Sequence, residues 1–158
     1  MNPNEKISYH VDALFGKGVS GVLPKELSFS YSRKTGRIKS FGTNGRLIGT
    51  LRSDGGIALT IFGASILLTY DNFKHNCIIP KEEAIPFVSE GRSLFCKHVE
   101  WFGSNIKIGS EAVVIDKNGY VLAVGKSVLS QSQLLGRIGD VAIKIREGIK
   151  SRGEKQNL

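Results

Sequence analysis

The residues with the plainest chemistry are cations. Between Leu27 and Ser53 lie Arg33, Lys34, Arg37, Lys39, Arg46 and Arg52, with no aspartate or glutamate among them. A surface built from such a stretch attracts phosphates, because each phosphate neutralised releases condensed counterions. The same pattern also suits a solubilising face around hairpin turns, but the missing acids favour phosphate contact. The whole chain agrees in sign: 22 Lys+Arg against 14 Asp+Glu give a formal net charge of +8 over 158 residues. A surplus of this size favours a polyanionic partner and leaves RNA, DNA and an anionic membrane open.

Gly91-Arg92-Ser93 is a second candidate. A glycine between helix and strand lets a backbone approach closely, and exposed amides there bind phosphate. Arg92 and Lys97 add charge. Taken alone, the motif reads as a plain helix-terminating glycine. Lys126, after Val124-Gly125, and the late cations Lys144 and Arg146 are weaker candidates of the same kind.

Other constellations fare worse. Gly16-Lys17-Gly18-Val19-Ser20-Gly21 satisfies G-x-G-x-x-G, but positions 38 to 46 hold no acid for a ribose and Pro24 comes early. His75-x-Cys77 and Cys96-x-His98 match zinc in ligand type, yet zinc pairs usually stand further apart and Cys is a common small core residue. The chain's three histidines and fourteen acids form no recognisable nucleophile–base pair. Trp101-Phe102 could stack on a base, but an aromatic pair at a strand end more often packs a core. The reading is a protein that binds and does not catalyse, with no cofactor and no metal.

The elements that must position these residues are short strands. A first apolar segment runs from Ile7 to Leu23. Leu27, Phe29 and Tyr31 alternate with serines, the period of a half-buried strand. Asn44-Gly45 is a hairpin signal between Phe41 and Leu47. Asp54-Gly55-Gly56 turns into Ile57–Ile61, and a short helix is expected around Gly63 to Leu68. After a link over 69–76, Cys77-Ile78-Ile79 reads as a strand and Pro80 as a first helical position, with Glu82 and Glu83 in the first turn. That helix should end by Gly91. Ser93 to Phe102 alternates like one strand. Asp116-Lys117-Asn118-Gly119 marks a hairpin, a short helix is expected at Ser130 to Leu135, and Ala142 to Arg146 is a last strand. The apolar stretch Ile57 to Tyr70 is interrupted and falls short of the ~20 residues of a membrane span. The N-terminus lacks the apolar core of a signal peptide and the chain has two cysteines, so a cytoplasmic protein with reduced thiols and no membrane partner is expected.

Four pieces carry a family likeness. Glu90-Gly91-Arg92-Ser93-Leu94-Phe95-Cys96-Lys97, Ile108 to Asp116, Val121 to Lys126 and Gly139 to Gly148 resemble, in order, the PUA domain. Upstream, Phe15-Gly16-Lys17-Gly18, Ser32 to Ile38 and Leu51 to Gly55 resemble the domain that precedes PUA in archaeal tRNA-guanine transglycosylases of the archaeosine pathway. The match runs over roughly residues 9 to 150. Nothing here resembles the catalytic barrel of those enzymes, with its nucleophile and zinc site.

The resemblance implies an α+β chain: a small α+β domain over 1–74, a PUA-like mixed β-barrel with short helices over 75–150, and a polar tail over 151–158. It implies RNA binding, to tRNA or another structured RNA, in connection with RNA modification. A role as the RNA-positioning subunit of a split tRNA-modifying enzyme, beside a separate catalytic subunit, is a second reading. A protein-interaction module whose basic face meets an acidic partner is a third.

Overall fold

The computed structural model describes residues 1–151. The polar tail expected over 151–158 therefore lies outside the described residues, apart from Ser151.

The first segment opens as a helix, α1 (Pro3–Phe15). Asn2 caps it, its Oδ1 accepting the Glu5 N–H at 2.9 Å, and proline occupies the first turn, where its missing N–H costs nothing. Ile7, Val11 and Phe15 fall on one face and are buried. The glycine-rich run after α1 is a short 3-10 turn, Val19–Val22. It follows a helix, not the strand a dinucleotide loop requires.

Four strands then form an antiparallel meander: β1 (Ser28–Tyr31), β2 (Ile38–Thr43), β3 (Arg46–Leu51) and β4 (Ile57–Leu59). Asn44 and Gly45 both have positive φ, 50° and 75°, as the tight β2–β3 turn requires. Thr60 starts α2 (Ile61–Leu67). Its hydroxyl accepts the Gly63 N–H at 2.9 Å and donates to Leu47 O at 2.6 Å, tying the helix to the sheet.

The second sheet is mixed. Its order is β6-β10-β9-β8-β5-β7, and it curls into a nearly closed barrel. The strands are β5 (Cys77–Pro80), β6 (Leu94–Phe95), β7 (Val99–Phe102), β8 (Glu111–Ile115), β9 (Val121–Ser127) and β10 (Val141–Gly148). One more helix, α3 (Ile85–Ser89), lies between β5 and β6.

Three expectations change. The link over 69–76 carries a 3-10 helix, Asp71–Asn76. Pro80 does not begin a helix: it ends β5 beside a register shift, where a missing N–H is tolerated, and Pro86 sits in the first turn of α3 instead. The alternating run Ser93–Phe102 is two strands parted by a 3-10 turn at Cys96–His98. There the Cys96 and Lys97 N–H groups leave the ladder for Asp140 O and Ile138 O, at 2.9 and 3.1 Å.

The two sheets share an apolar core. Val11, Phe15, Ile57, Leu67 and Phe73 pack with Cys77, Val113, Ile115 and Val124. Strand β8 is buried on both faces, with Val113 and Ile115 in this shared core and Ala112 and Val114 inside the barrel. Glu111 stands on the Val113 side, so a carboxylate is carried into the junction between the sheets.

Candidate nucleic-acid interface

The meander brings the turns β1–β2 (residues 32–37) and β3–β4 (residues 52–56) to one end of the sheet, beside α1. A groove of about 800 Å³ opens between them. Lys6 and His10, one turn apart on α1, form one wall; Tyr31, Arg37 and Lys39 form the other, and Arg52 closes the floor. Among the described residues, no aspartate or glutamate lines it. The wall turn is held from within: Ser32 and Arg37 are joined by an N–H···O bond of 2.8 Å and the Gly36 N–H donates to Ser32 O at 2.8 Å. His10 Nε2 lies 2.6 Å from Gly55 O, which ties the helix to the β3–β4 turn.

The six cations of the acid-free stretch are thus divided. Arg33 and Lys34 are exposed on the wall turn, and Arg37 and Lys39 face the groove. Arg46 is at the opposite end of the meander, its guanidinium 3.8 Å from the centre of the Phe62 ring. Arg52 is engaged internally, with Nη1 at 3.3 Å from Glu111 Oε1 and Nε at 3.2 Å from Asp54 Oδ1.

Glu111 gathers residues from both sheets. Arg146 bonds both its oxygens, and Oε2 accepts the Leu59 N–H at 2.7 Å. Burial raises the Glu111 carboxyl above the usual carboxylate range, while Arg146, the Leu59 N–H and Arg52 pull against it. Asp54, at the surface nearby, is held down to about 2 by the Gly56 N–H, Lys126 and Arg52. Lys126 Nζ is 3.2 Å from Asp54 Oδ2, and Lys144 stands directly across from Lys126 in the β9–β10 ladder. Lys126, Lys144 and Arg146 therefore cluster with Arg52 around the β3–β4 turn, although they are far from it in sequence.

Gly91, Arg92, Ser93 and Lys97 make a separate group. Gly91 follows α3 with φ +97°, a conformation L side chains rarely adopt. Arg92 is exposed, with its guanidinium 5.6 Å from the Phe87 ring centre, and Ser93 is half-buried. Lys97 is exposed just beyond β6, a strand separated from β8 by β10 and β9.

No three His, Cys, Asp or Glu residues are placed to hold a metal ion among the described residues. His75 Nδ1 lies 3.1 Å from Ser104 Oγ, and the Cys77 Sγ faces Phe73 O at 3.6 Å. Burial pushes the Cys77 thiol up to about 12. Among the described residues, no helix is long and apolar enough to cross a membrane.

Two family models match this chain. The PUA domain matches residues 77–149, and the patch-forming domain C2 of tRNA-guanine transglycosylase matches residues 6–74. The chain is a C2 domain followed by a PUA domain. The tRNA-guanine(15) transglycosylase of Thermoplasma volcanium is 33% identical over 145 residues, covering 91% of this chain and 23% of that protein. The same enzyme of Thermococcus kodakarensis is 31% identical over 137 residues, covering 86% and 23%. The C2–PUA chain thus spans about a quarter of the length of these relatives. Among solved structures, a hypothetical protein of Pyrococcus horikoshii OT3 superposes with a TM-score of 0.73 at 16% identity, over 97% of this chain and 92% of that one. A conserved PUA domain protein of Thermoplasma acidophilum gives 0.65 at 18% identity, over 93% and 91%. At these identities the likeness is one of fold.

The groove lies in the C2 domain, and the Gly91 group in the PUA domain. Sequence reading missed Lys6, His10 and Tyr31 as groove residues. A signal for the first two was present: Asn2-Pro3 caps a helix, and Lys6 and His10 flank the buried Ile7 and Val11 at its edge.

Proposed function

We propose that this C2–PUA chain binds structured RNA, tRNA foremost, as a non-catalytic module in tRNA modification. The observation that carries the reading is the acid-free groove of Lys6, His10, Arg37 and Lys39 in a C2 domain. Structured RNA is recognised largely through phosphates, 2′-hydroxyls and shape, and a recessed cationic surface supplies the first of these. Arg33, Lys34, Arg37 and Lys39 take phosphates on the C2 side, and Arg92, Ser93 and Lys97 on the PUA side, where Gly91 shapes the turn with its N–H donated to Val88 O at 3.0 Å. Lys126 and Lys144 extend the C2 surface across the junction. Arg52 and Arg146, committed to Glu111, and Arg46, seated on Phe62, hold the scaffold that presents the others. The division of labour runs along the chain, with C2 over 1–74 and PUA over 75–150. A cytoplasmic location goes with this reading.

A second reading draws on the likeness to a segment of tRNA-guanine(15) transglycosylases, at 33% and 31% identity: the chain serves as the RNA-positioning subunit beside a separate catalytic protein.

The test is tRNA binding across a salt series, for the intact chain and for the Arg33→Ala/Arg37→Ala and Arg92→Ala/Lys97→Ala variants. Each pair should weaken binding and lower the slope of log K against log salt by about 0.9 for each phosphate no longer neutralised. Unchanged affinity and slope in both variants would remove this assignment. A basic module meant for an acidic protein shows no preference for tRNA over any polyanion of similar charge.

A further inference from the structure

The groove has a shape that phosphate attraction alone does not call for. It is recessed between α1 and the β1–β2 turn. A duplex presents a convex backbone with its bases stacked inside, whereas an unpaired strand can lay both a base and its phosphates into such a recess. Tyr31 adds a second feature. It lines the groove with half its surface exposed (50%), although it ends a strand whose alternate residue Phe29 packs against the core. An aromatic face beside cations, in a cleft without acids, is the arrangement that holds single strands: bases stack on the ring and phosphates meet the ammonium and guanidinium groups. Ser32 and Thr35 add hydroxyls along the same wall.

We infer that the C2 groove binds an unpaired RNA segment, with a base stacked on Tyr31 and the flanking phosphates on Lys6, Arg37 and Lys39. The inference rests on the RNA-binding reading and adds the strandedness of what enters the groove. A single base on the ring fits the groove's size, about 800 Å³, which is within the usual range of ligand sites. Arg52 contributes from the floor as a positioning residue, because its guanidinium is already bonded to Glu111 and Asp54.

The experiment uses the full chain and two fluorescent RNA probes, a six-nucleotide oligouridylate and a blunt duplex of matched charge, with unlabelled tRNA as a third arm. The single strand should bind more tightly than the duplex. Tyr31→Ala should weaken single-strand binding about 5- to 150-fold, the effect of removing one stacked base. Tyr31→Phe should retain it. Lys6→Ala/Lys39→Ala should lower the single-strand salt slope by about 1.4. Thermal melts of each variant check the fold, and the Phe variant separates stacking from structural damage. Equal binding of duplex and single strand, or Tyr31→Ala binding like the parent, overturns the inference. If tRNA still binds in that case, RNA binding stands and only the groove assignment falls; if tRNA does not bind either, both readings fall.

Discussion

Arg146 grips Glu111 with both terminal nitrogens, Nη1 at 3.0 Å from Oε1 and Nη2 on Oε2. The same Nη2 donates to Leu59 O at 2.6 Å, while Glu111 Oε2 accepts the Leu59 N–H at 2.7 Å. Leu59 is the last residue of β4, so one ion pair of the PUA domain satisfies both backbone groups of a C2-domain strand end. With Arg52 joining from the β3–β4 turn, the junction has a polar clamp beside its apolar core.

Removing the carboxylate should be costly. The Glu111 side chain is 2% exposed, and its loss leaves the Leu59 N–H without an acceptor and takes the counter-charge from two guanidiniums, Arg52 keeping Asp54 and Arg146 keeping Leu59 O. Glu111→Ala should destabilise the fold by about 3 kcal/mol, the low end for breaking a buried pair because Arg146 can still reach water. Glu111→Gln, which keeps one acceptor oxygen, should cost about 2 kcal/mol or less. Urea denaturation checks both; losses under about 1 kcal/mol for the alanine variant would show that the clamp is replaceable.

Asp54 supplies a pH dependence with a definite sign. Its carboxyl is lowered from 3.8 to about 2, first by the Gly56 N–H and then by Lys126. A carboxylate with a lowered folded pKa stabilises above its unfolded value, and that contribution is lost as pH falls through the folded one. The chain should therefore be more stable than Asp54→Asn at pH 6. The difference should shrink between about pH 4 and pH 2, and 1 M salt should reduce it, since the group is at the surface. Urea melts along a pH series measure this; a difference constant down to pH 2 would contradict it.

Cys77 reports on the junction. It is fully buried among residues of both sheets and its thiol is pushed up to about 12 by burial. In a Cys96→Ala background, a thiol reagent at pH 8 should modify Cys77 only as fast as the whole chain unfolds. The shared core joins the two domains into one cooperative unit, because separating them exposes Phe73, Val113 and Ile115 at about 25 cal/mol per Å². Labelling at urea concentrations that leave the circular dichroism unchanged would mean that the domains part before they unfold.

Local signals in the sequence carried much of the fold. Asn44-Gly45 marked a hairpin because two left-handed residues are needed there, and the alternation of Leu27, Phe29 and Tyr31 marked β1. Pro80 misled because a proline that starts a helix and one that ends a strand at a register shift look alike without the partner strand. The run Ser93–Phe102 misled because its ladder is broken by Asp140 and Ile138, some forty residues away. The site was legible in composition and not in assignment. Arg37 and Arg52 are equivalent as charges, but Arg52 is claimed by a glutamate 59 residues further on, and Arg146 by the same glutamate 35 residues before it. Only the fold pairs them.

The separation of the two cationic groups yields a prediction about how they act together. Arg37 and Lys39 line the C2 groove, whereas Arg92 and Lys97 border α3 and β6, with β10 and β9 between β6 and the clamp strand β8. The two pairs share no hydrogen-bond partner. Energies of substitutions at such independent sites add within about 0.5 kcal/mol. If one RNA spans both surfaces, the loss of tRNA affinity in the quadruple variant should equal the sum of the losses in Arg37→Ala/Lys39→Ala and Arg92→Ala/Lys97→Ala. The salt slopes should subtract in the same way, because each released counterion is counted once. A quadruple loss well beyond that sum, with each double variant nearly unchanged, would mean that the two surfaces bind in alternative modes. Fluorescence anisotropy with one labelled tRNA at three salt concentrations distinguishes the outcomes.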